Sequence, residues 1–203
     1  MSQLYYRYST MNAGKSLELI KVAYNYRERG KNILILIPEV SEREKKGMVV
    51  SRVGLEIEAT PIAEDTNILE LFMELNDKEK IDCVLLDEGQ FLKKHHVQEL
   101  TEIVDSFETP VLVYGLKNDF RNELFEGSYH LLIYADKIEE IKTICWCGRK
   151  ATMVARLVDG KFVKTGDQVV VGGNSMYVSL CRKHYNDGRL GPEETRPVES
   201  NEK

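Results

Sequence analysis

A chain of 203 residues, 42% hydrophobic and 30% charged, is long enough to bury one ordinary core and to carry a small appendage. Its formal charge of −5 supplies no global basic field, so no nucleic-acid partner is expected. No apolar run reaches the length of a bilayer span, and residues 1–20 hold neither a signal-peptide core nor a cleavage pattern. A cytoplasmic protein without a membrane partner is expected.

Residues 1–140 alternate strand-like and helix-like segments, the pattern of an α/β domain with a mostly parallel sheet and helices on both faces. Leu4-Tyr5-Tyr6-Arg7-Tyr8 opens a strand over Leu4–Ser9 and leads into Met11-Asn12-Ala13-Gly14-Lys15-Ser16. In that strand–loop–helix setting a Gly-Lys-Ser tripeptide suits a polyphosphate. Main-chain N–H groups wrap it, Lys15 neutralises its β and γ oxygens, and the Ser16 hydroxyl ligates Mg²⁺. The match to G-x-x-x-x-G-K-[ST] is incomplete, because Ser9 stands at the first glycine position. The plainer alternative is an ordinary helix start with Lys15 in solvent.

Leu17, Ile20 and Tyr24 then repeat at helical spacing, and Gly30 stands where a left-handed C-cap belongs. A second strand is predicted over Asn32–Ile37, ended by Pro38. Ser41–Gly54 carries Arg43, Lys45, Lys46 and Arg52 without an apolar period and reads as a long surface loop. Helices around Ile68–Asn76 and Val97–Ser106 precede strands over Cys83–Asp87 and Pro110–Tyr114. A fifth strand is predicted over Leu131–Tyr134. From about Ile141 the character changes: Ala151–Val158, an Asp159-Gly160 turn and the apolar residues beyond it suggest a β-hairpin. The tail from Asn186, with Gly188, Gly191, Pro192 and Pro197 among charges, reads as disordered.

Two further groups carry chemistry. Asp82-Cys83-Val84-Leu85-Leu86-Asp87-Glu88 is an apolar strand ending in two carboxylates. In a parallel sheet that end faces the same crevice as the phosphate loop, which gives Asp87 the Mg²⁺ shell and lets Glu88 lean toward the group attacking the γ-phosphorus. Glu88 can serve two chemistries, activating water in an ATPase or a substrate hydroxyl in a kinase. Cys83, inside the apolar run, is expected to be a buried thiol. Cys145, Cys147, Cys181 and His184 form a C-x-C and C-x-x-H set around the hairpin. Three thiolates and an imidazole complete a tetrahedral Zn²⁺ with no open position, hence a structural zinc rather than a catalytic one.

With these residues assembled, the chain closely resembles the cytosolic type II thymidine kinases, and within them the proteobacterial branch, from Gln3 to Tyr185. The resemblance is carried by Tyr8-Ser-Thr-Met-Asn-Ala-Gly-Lys-Ser16, Asp87-Glu-Gly-Gln-Phe91, Tyr114-Gly-Leu-Lys-Asn-Asp-Phe-Arg121, Val170-Val-Gly-Gly173 leading to Tyr177, and the cysteine set. Ser9 and the C-x-C spacing depart from the broad family. The resemblance implies a P-loop (RecA-like) domain over 1–140, a zinc-binding β-ribbon subdomain with a base-binding lasso loop over 141–186, and a tail over 187–203. It implies transfer of the ATP γ-phosphate to the 5′-hydroxyl of thymidine or deoxyuridine, with Glu88 as general base. Ser9, Thr10, Met11, Asn12, Ala13, Gly14, Lys15, Ser16, Asp87 and Gln90 would hold ATP and its Mg²⁺. Arg52 resembles a phosphate-contacting arginine and Phe120 the aromatic against the pyrimidine ring. Met11 and Val154 resemble the pocket around the 5-substituent. Val170, Val171, Gly172, Gly173 and Tyr177 resemble the segment that closes over the base. The family also implies a homotetramer and inhibition by dTTP.

Physical argument runs alongside. Main-chain N–H and C=O groups in a glycine-containing loop have fixed polarity, so cytosine in a thymine site leaves buried groups unpaired at about 1–3 kcal/mol each. A zinc joining Cys147 to Cys181 would pin both ends of the lasso. Two competing readings are an ATPase with Glu88 activating water, and a non-enzymatic zinc-ribbon module on a degenerate nucleotide fold.

Overall fold

The computed structural model describes residues 1–41, 46–168 and 175–192. Arg43 and Lys45, Val169–Val171, Gly172 and Gly173, and the last residues of the tail lie outside them. The chain divides into two compact units. The first comprises Met1–Ser9, Gly14–Lys117 and Leu124–Ile141, and the second Thr10–Ala13, Asn118–Glu123 and the chain from Lys142.

The first unit is built on six strands: β1 (Leu4–Ser9), β2 (Ile33–Pro38), β5 (Thr60–Ile62), β6 (Cys83–Leu86), β7 (Val111–Leu116) and β8 (Lys137–Glu140). They lie in the order β5-β2-β6-β7-β1-β8, and every neighbouring pair is parallel. The helices are α1 (Lys15–Arg27), α2 (Ile68–Lys78), α3 (Lys94–Phe107) and α4 (Glu126–Tyr134). Side chains alternate along each strand, so the sheet has two apolar faces. Leu4, Tyr6, Leu34, Leu36, Val84, Leu86, Val111 and Val113 pack with Ile68 and Phe72 of α2, Val97 and Leu100 of α3 and Leu131 of α4. Ile35, Ile37, Cys83, Leu85, Leu112 and Tyr114 pack with Leu19, Ile20 and Ala23 of α1. Helices on both faces of a parallel sheet are thus as expected. Gly30 is left-handed behind α1, and its N–H donates to the Arg27 carbonyl. Cys83 is fully buried, and that burial pushes its thiol up to about 12.

Three local features differ from the sequence reading. Leu131–Tyr134 is the last turn of α4, not a strand; an apolar run of four residues fits a buried strand and a helix face equally well. The strand that follows is β8, whose Lys137, Ile138 and Glu139 are exposed. Its charge suits a sheet edge, where unpaired backbone would otherwise template further strands. The stretch read as a loop over Ser41–Gly54 contains β3 (Met48–Val50), which pairs antiparallel with β4 (Glu56–Glu58) and buries Val49 against Ile57.

The second unit has its own sheet, β9 (Met153–Val158), β10 (Lys161–Val163) and β11 (Ser175–Leu180), antiparallel in the order β10-β9-β11. Asp159 and Gly160 turn β9 into β10 with positive φ at both, the primed geometry that Asp-Gly favours. The short helix α5 (Arg182–Asn186) follows, and Cys145, Ala151, Ala155, Leu180, Cys181 and Tyr185 form a small core with Leu190 packed on it. Beyond α5, the Gly188 N–H donates to the Tyr185 carbonyl and the Arg189 N–H to that of His184.

One buried histidine makes stability pH-dependent. His96, in the first turn of α3, accepts the Lys93 N–H at Nδ1 (3.2 Å), and its Nε2 lies 3.1 Å from the Thr66 carbonyl, so the neutral Nε2–H form satisfies both. Burial, and next the adjacent His95, hold its pKa down at about 4, against 6.5 for an ordinary histidine. The unfolded chain therefore takes up a proton that the folded one refuses as pH falls from about 6.5 to about 4, and stability is lost across that window. His96→Asn should lose less Tm than the parent between pH 6.5 and 4.5. Parallel thermal-melt curves for the two proteins would refute the assignment.

Candidate active site

The strand order makes β1 and β6 next-but-one neighbours, with β7 between them. Their carboxyl ends deliver, within the first unit, the residues picked out as a phosphate and carboxylate centre. Gly14 adopts φ 83°, a conformation that a residue with a Cβ resists, and so turns the chain into α1. Lys15 and Ser16 then fall in the first turn of that helix. The Lys15 ammonium is buried and donates to Ser9 Oγ at 3.1 Å. The serine at the first glycine position is thereby given a role, since its hydroxyl holds the lysine head beside the strand end. The Ser16 hydroxyl donates to Asp87 Oδ2 at 2.7 Å, and the Glu88 N–H donates to Asp87 Oδ1 at 2.9 Å.

Asp87 is buried, and that burial, with the Glu88 carboxylate next in weight, pushes its pKa up to about 6. Ser16 and Lys15 pull the other way. Glu88 has φ 54° and ψ 38°, the left-handed region that a residue with a side chain seldom occupies. Its Oε2 accepts a hydrogen bond from Gln90 Nε2, while Gln90 Oε1 accepts the Leu116 N–H at 2.9 Å. Ser16, Asp87, Glu88 and Gln90 are thus joined by hydrogen bonds, and the charge of Lys15 is felt at Asp87. Arg52 is exposed in the turn between β3 and β4, and among the described residues no hydrogen bond or ion pair joins it to that group.

The second unit holds the residues read as a base pocket. Ser179 pairs with Val154 across β11 and β9, and its hydroxyl donates to the Met11 carbonyl at 2.5 Å. Tyr177 pairs with Arg156, two residues along the same face, and the Arg156 guanidinium carbon lies 5.2 Å from the Phe120 ring centre. Met11, Val154, Phe120, Tyr177, Arg156 and Ser179 therefore cluster about one face of the small sheet. Asn12, exposed, takes φ 65°, while Thr10 is buried.

The loop bearing Phe120 is braced by Asp119, which accepts the Arg121 N–H (2.8 Å), the Glu123 N–H (2.9 Å) and Gln168 Nε2 (3.1 Å). Arg121 also donates to the Gly166 carbonyl and Arg156 to that of Asp167, both at 3.3 Å. Residues 166–168 are thereby tied to the Phe120 loop. Val170, Val171, Gly172 and Gly173, which come next, lie outside the described residues. Arg156 and Ser179 were not singled out from sequence. Their signal was the period of two along β9 and β11, which puts them on the faces of Val154 and Tyr177.

Cys145, Cys147, Cys181 and His184 converge in the same unit, all four ligand atoms lying within 4.8 Å of one another. Cys145 Sγ is 3.4 Å from His184 Nδ1, and Cys147 Sγ is 3.9 Å from Cys181 Sγ. A tetrahedron with bonds of about 2.0–2.3 Å has edges close to these lengths, so the set could hold a zinc ion. The Arg149 N–H lowers the Cys147 pKa, whereas burial raises that of Cys145. Trp146 stacks on His184 at 4.2 Å and 7°, and its indole N–H donates to the Arg189 carbonyl.

Comparison with known proteins gives this arrangement its context. The thymidine kinase family model matches residues 2–185. A thymidine kinase of Listeria monocytogenes is 56% identical over 185 residues, covering 90% of this chain and 96% of the relative. Those of Lactiplantibacillus plantarum and Streptococcus gordonii are each 55% identical over 186 residues, covering 91% of this chain and 96% of the relative. These are Firmicutes, so the proteobacterial branch suggested by Ser9 and the C-x-C spacing is not supported. A family match over residues 2–185, a span that contains both the carboxylate centre and the cysteine set, at this identity, leaves one conclusion: the chain belongs to the thymidine kinase family.

Proposed function

We infer that this protein transfers the γ-phosphate of ATP to the 5′-hydroxyl of thymidine, and of deoxyuridine, to give the 5′-monophosphate and ADP in nucleoside salvage. The observation carrying this reading is family membership over residues 2–185 joined to the linked Ser16, Asp87 and Glu88.

Phosphoryl transfer asks for alignment and charge compensation more than for covalent chemistry. Main-chain N–H groups of the loop from Ser9, Thr10, Met11, Asn12, Ala13 and Gly14 to Ser16 would wrap the triphosphate, and Lys15 would exchange its Ser9 partner for phosphate oxygens. Ser16 and Asp87 offer hard oxygen donors 2.7 Å apart that would hold a Mg²⁺ ion, and such an ion would supply charge compensation for the phosphate oxygens. A divalent cation would also relieve the cost of a buried Asp87 anion beside Glu88. Glu88 accepts the 5′-hydroxyl proton as that oxygen bonds to the γ-phosphorus and the β–γ bridging oxygen leaves with ADP. Asp87 stays on the metal side.

Phe120 packs on the pyrimidine ring, steadied from behind by Arg156. Met11 and Val154 bound the 5-substituent, and Val170, Val171, Gly172, Gly173 and Tyr177 close over the base. Arg52 would contact phosphate once the substrates are in place. Cys145, Cys147, Cys181 and His184 would hold a structural Zn²⁺, with three sulfurs and an imidazole leaving no position for catalysis. We assign the nucleotide to a domain over residues 1–140 and the base to the zinc-binding subdomain over 141–186. We further propose a cytoplasmic homotetramer subject to feedback by dTTP.

ADP release with Mg²⁺ and ATP, measured alone and then with thymidine, deoxyuridine, deoxycytidine or deoxyadenosine, tests the reading. ADP should appear only with the first two nucleosides. Release that ignores the nucleoside would make the protein an ATPase, and ATP binding without release under any condition would make it a binding module.

A further inference from the structure

Gln90, placed among the nucleotide-binding residues by resemblance, has its side chain committed inside the protein. The Leu116 N–H, which can only donate, fixes which end of the amide is oxygen. The Gln90 NH₂ group must then face Glu88, whose carboxylate accepts it. An inverted amide would set oxygen against carboxylate and NH₂ against N–H, so one orientation alone is compatible with both partners.

The seat for this side chain is made by three missing ones. A Cβ on Gly127 would lie 2.3 Å from the Gly89 carbonyl oxygen and 2.9 Å from both the N and the O of Leu92. One on Gly89 would lie 2.2 Å from Val113 Cγ1, and one on Gly115 would lie 3.0 Å from Gln90 Oε1. The short 3₁₀ turn Gly89–Phe91 is therefore pressed directly onto β7 and α4, with Gln90 buried beneath it. Glu88 precedes the turn in its left-handed conformation. A conformation of that kind persists only where the surroundings over-determine it, and here the Gln90 amide at the side chain and Asp87 at the backbone N–H do so.

We propose that Gln90 is a positioning residue that aims the Glu88 carboxylate at the attacking hydroxyl. This rests on the reading of Glu88 as the general base. Leu116, at the end of β7, serves as its fixed anchor. A general base works only within hydrogen-bond reach of the proton it takes, so a carboxylate released from its clamp loses turnover while both substrates still bind.

Gln90→Met keeps length and removes both hydrogen bonds. It should lower kcat for thymidine by about tenfold, with KM for ATP and thymidine within about twofold of the parent. In a Glu88→Gln background the same substitution should cost nothing further, because it acts through a group already disabled. Full turnover in Gln90→Met, an additive loss in the double variant, or a raised KM for ATP at unchanged kcat would each overturn the proposal. Should Gln90→Met fail to fold by thermal melting, Gln90→Asn, too short to reach both partners, is read by the same criteria. Normal turnover of the Glu88→Gln single variant would instead overturn the general-base reading, which keeps the two failures distinct.

Discussion

Glu88→Gln should lower kcat for thymidine by at least about 10²-fold, or about 2.7 kcal/mol of barrier, with nucleotide affinity retained. The reason lies in how little else the substitution changes. A glutamine at position 88 can still present an oxygen to the Gln90 NH₂ group, and the backbone N–H of residue 88 still reaches Asp87 Oδ1. On the phosphate side, Lys15 keeps its bond to Ser9 and Ser16 its bond to Asp87. What disappears is the capacity to take a proton. Steady-state kcat together with equilibrium binding of an ATP analogue separates the two effects, and near-normal turnover would reassign the base.

Cys181→Ala should act on the other half of the chemistry. The second unit has a core of few buried side chains, and two of those are themselves cluster cysteines. Such a segment would depend on a metal held by the cluster, whose apparent binding free energy in small zinc modules is about 10–16 kcal/mol. Cys181 also begins α5, which carries His184 and the Tyr185 hydroxyl that donates to the Phe120 carbonyl. Loss of the cluster is thus expected to lower Tm and raise KM for thymidine several-fold. Any thymidine-independent ATP hydrolysis should change less, since Lys15, Ser16, Asp87 and Glu88 lie in the first unit. Thermal melts, nucleoside kinetics and metal content on the same preparation check this. Unchanged Tm and KM after demonstrated zinc loss would refute the structural role.

How much of this could be read from sequence depended on how strongly each segment repeats. β1, β2, β6 and β7 were legible because buried parallel strands are near-continuous apolar runs. Gly14, Lys15, Ser16, Asp87 and Glu88 were legible because their chemistry demands fixed residue types at fixed places, and the cysteine set for the same reason. Leu131–Tyr134 misled because four apolar residues carry no period, and β8 was missed because an edge strand is charged like a loop. The β3–β4 pair buries one position per strand, Val49 and Ile57, in strands of three residues too short to show a period. The clamp on Glu88 was invisible for a different reason: Gln90 and Leu116 are brought together only by the neighbouring of β6 and β7 in the sheet.

The stacking of Trp146 on His184 has a practical outcome. It is the chain's single tryptophan, so the tryptophan emission, excited selectively over that of the tyrosines, comes from one address rather than from an average over many. Uptake or loss of a metal at the cysteine–histidine cluster should be readable from that emission, label-free, on the wild-type molecule in solution.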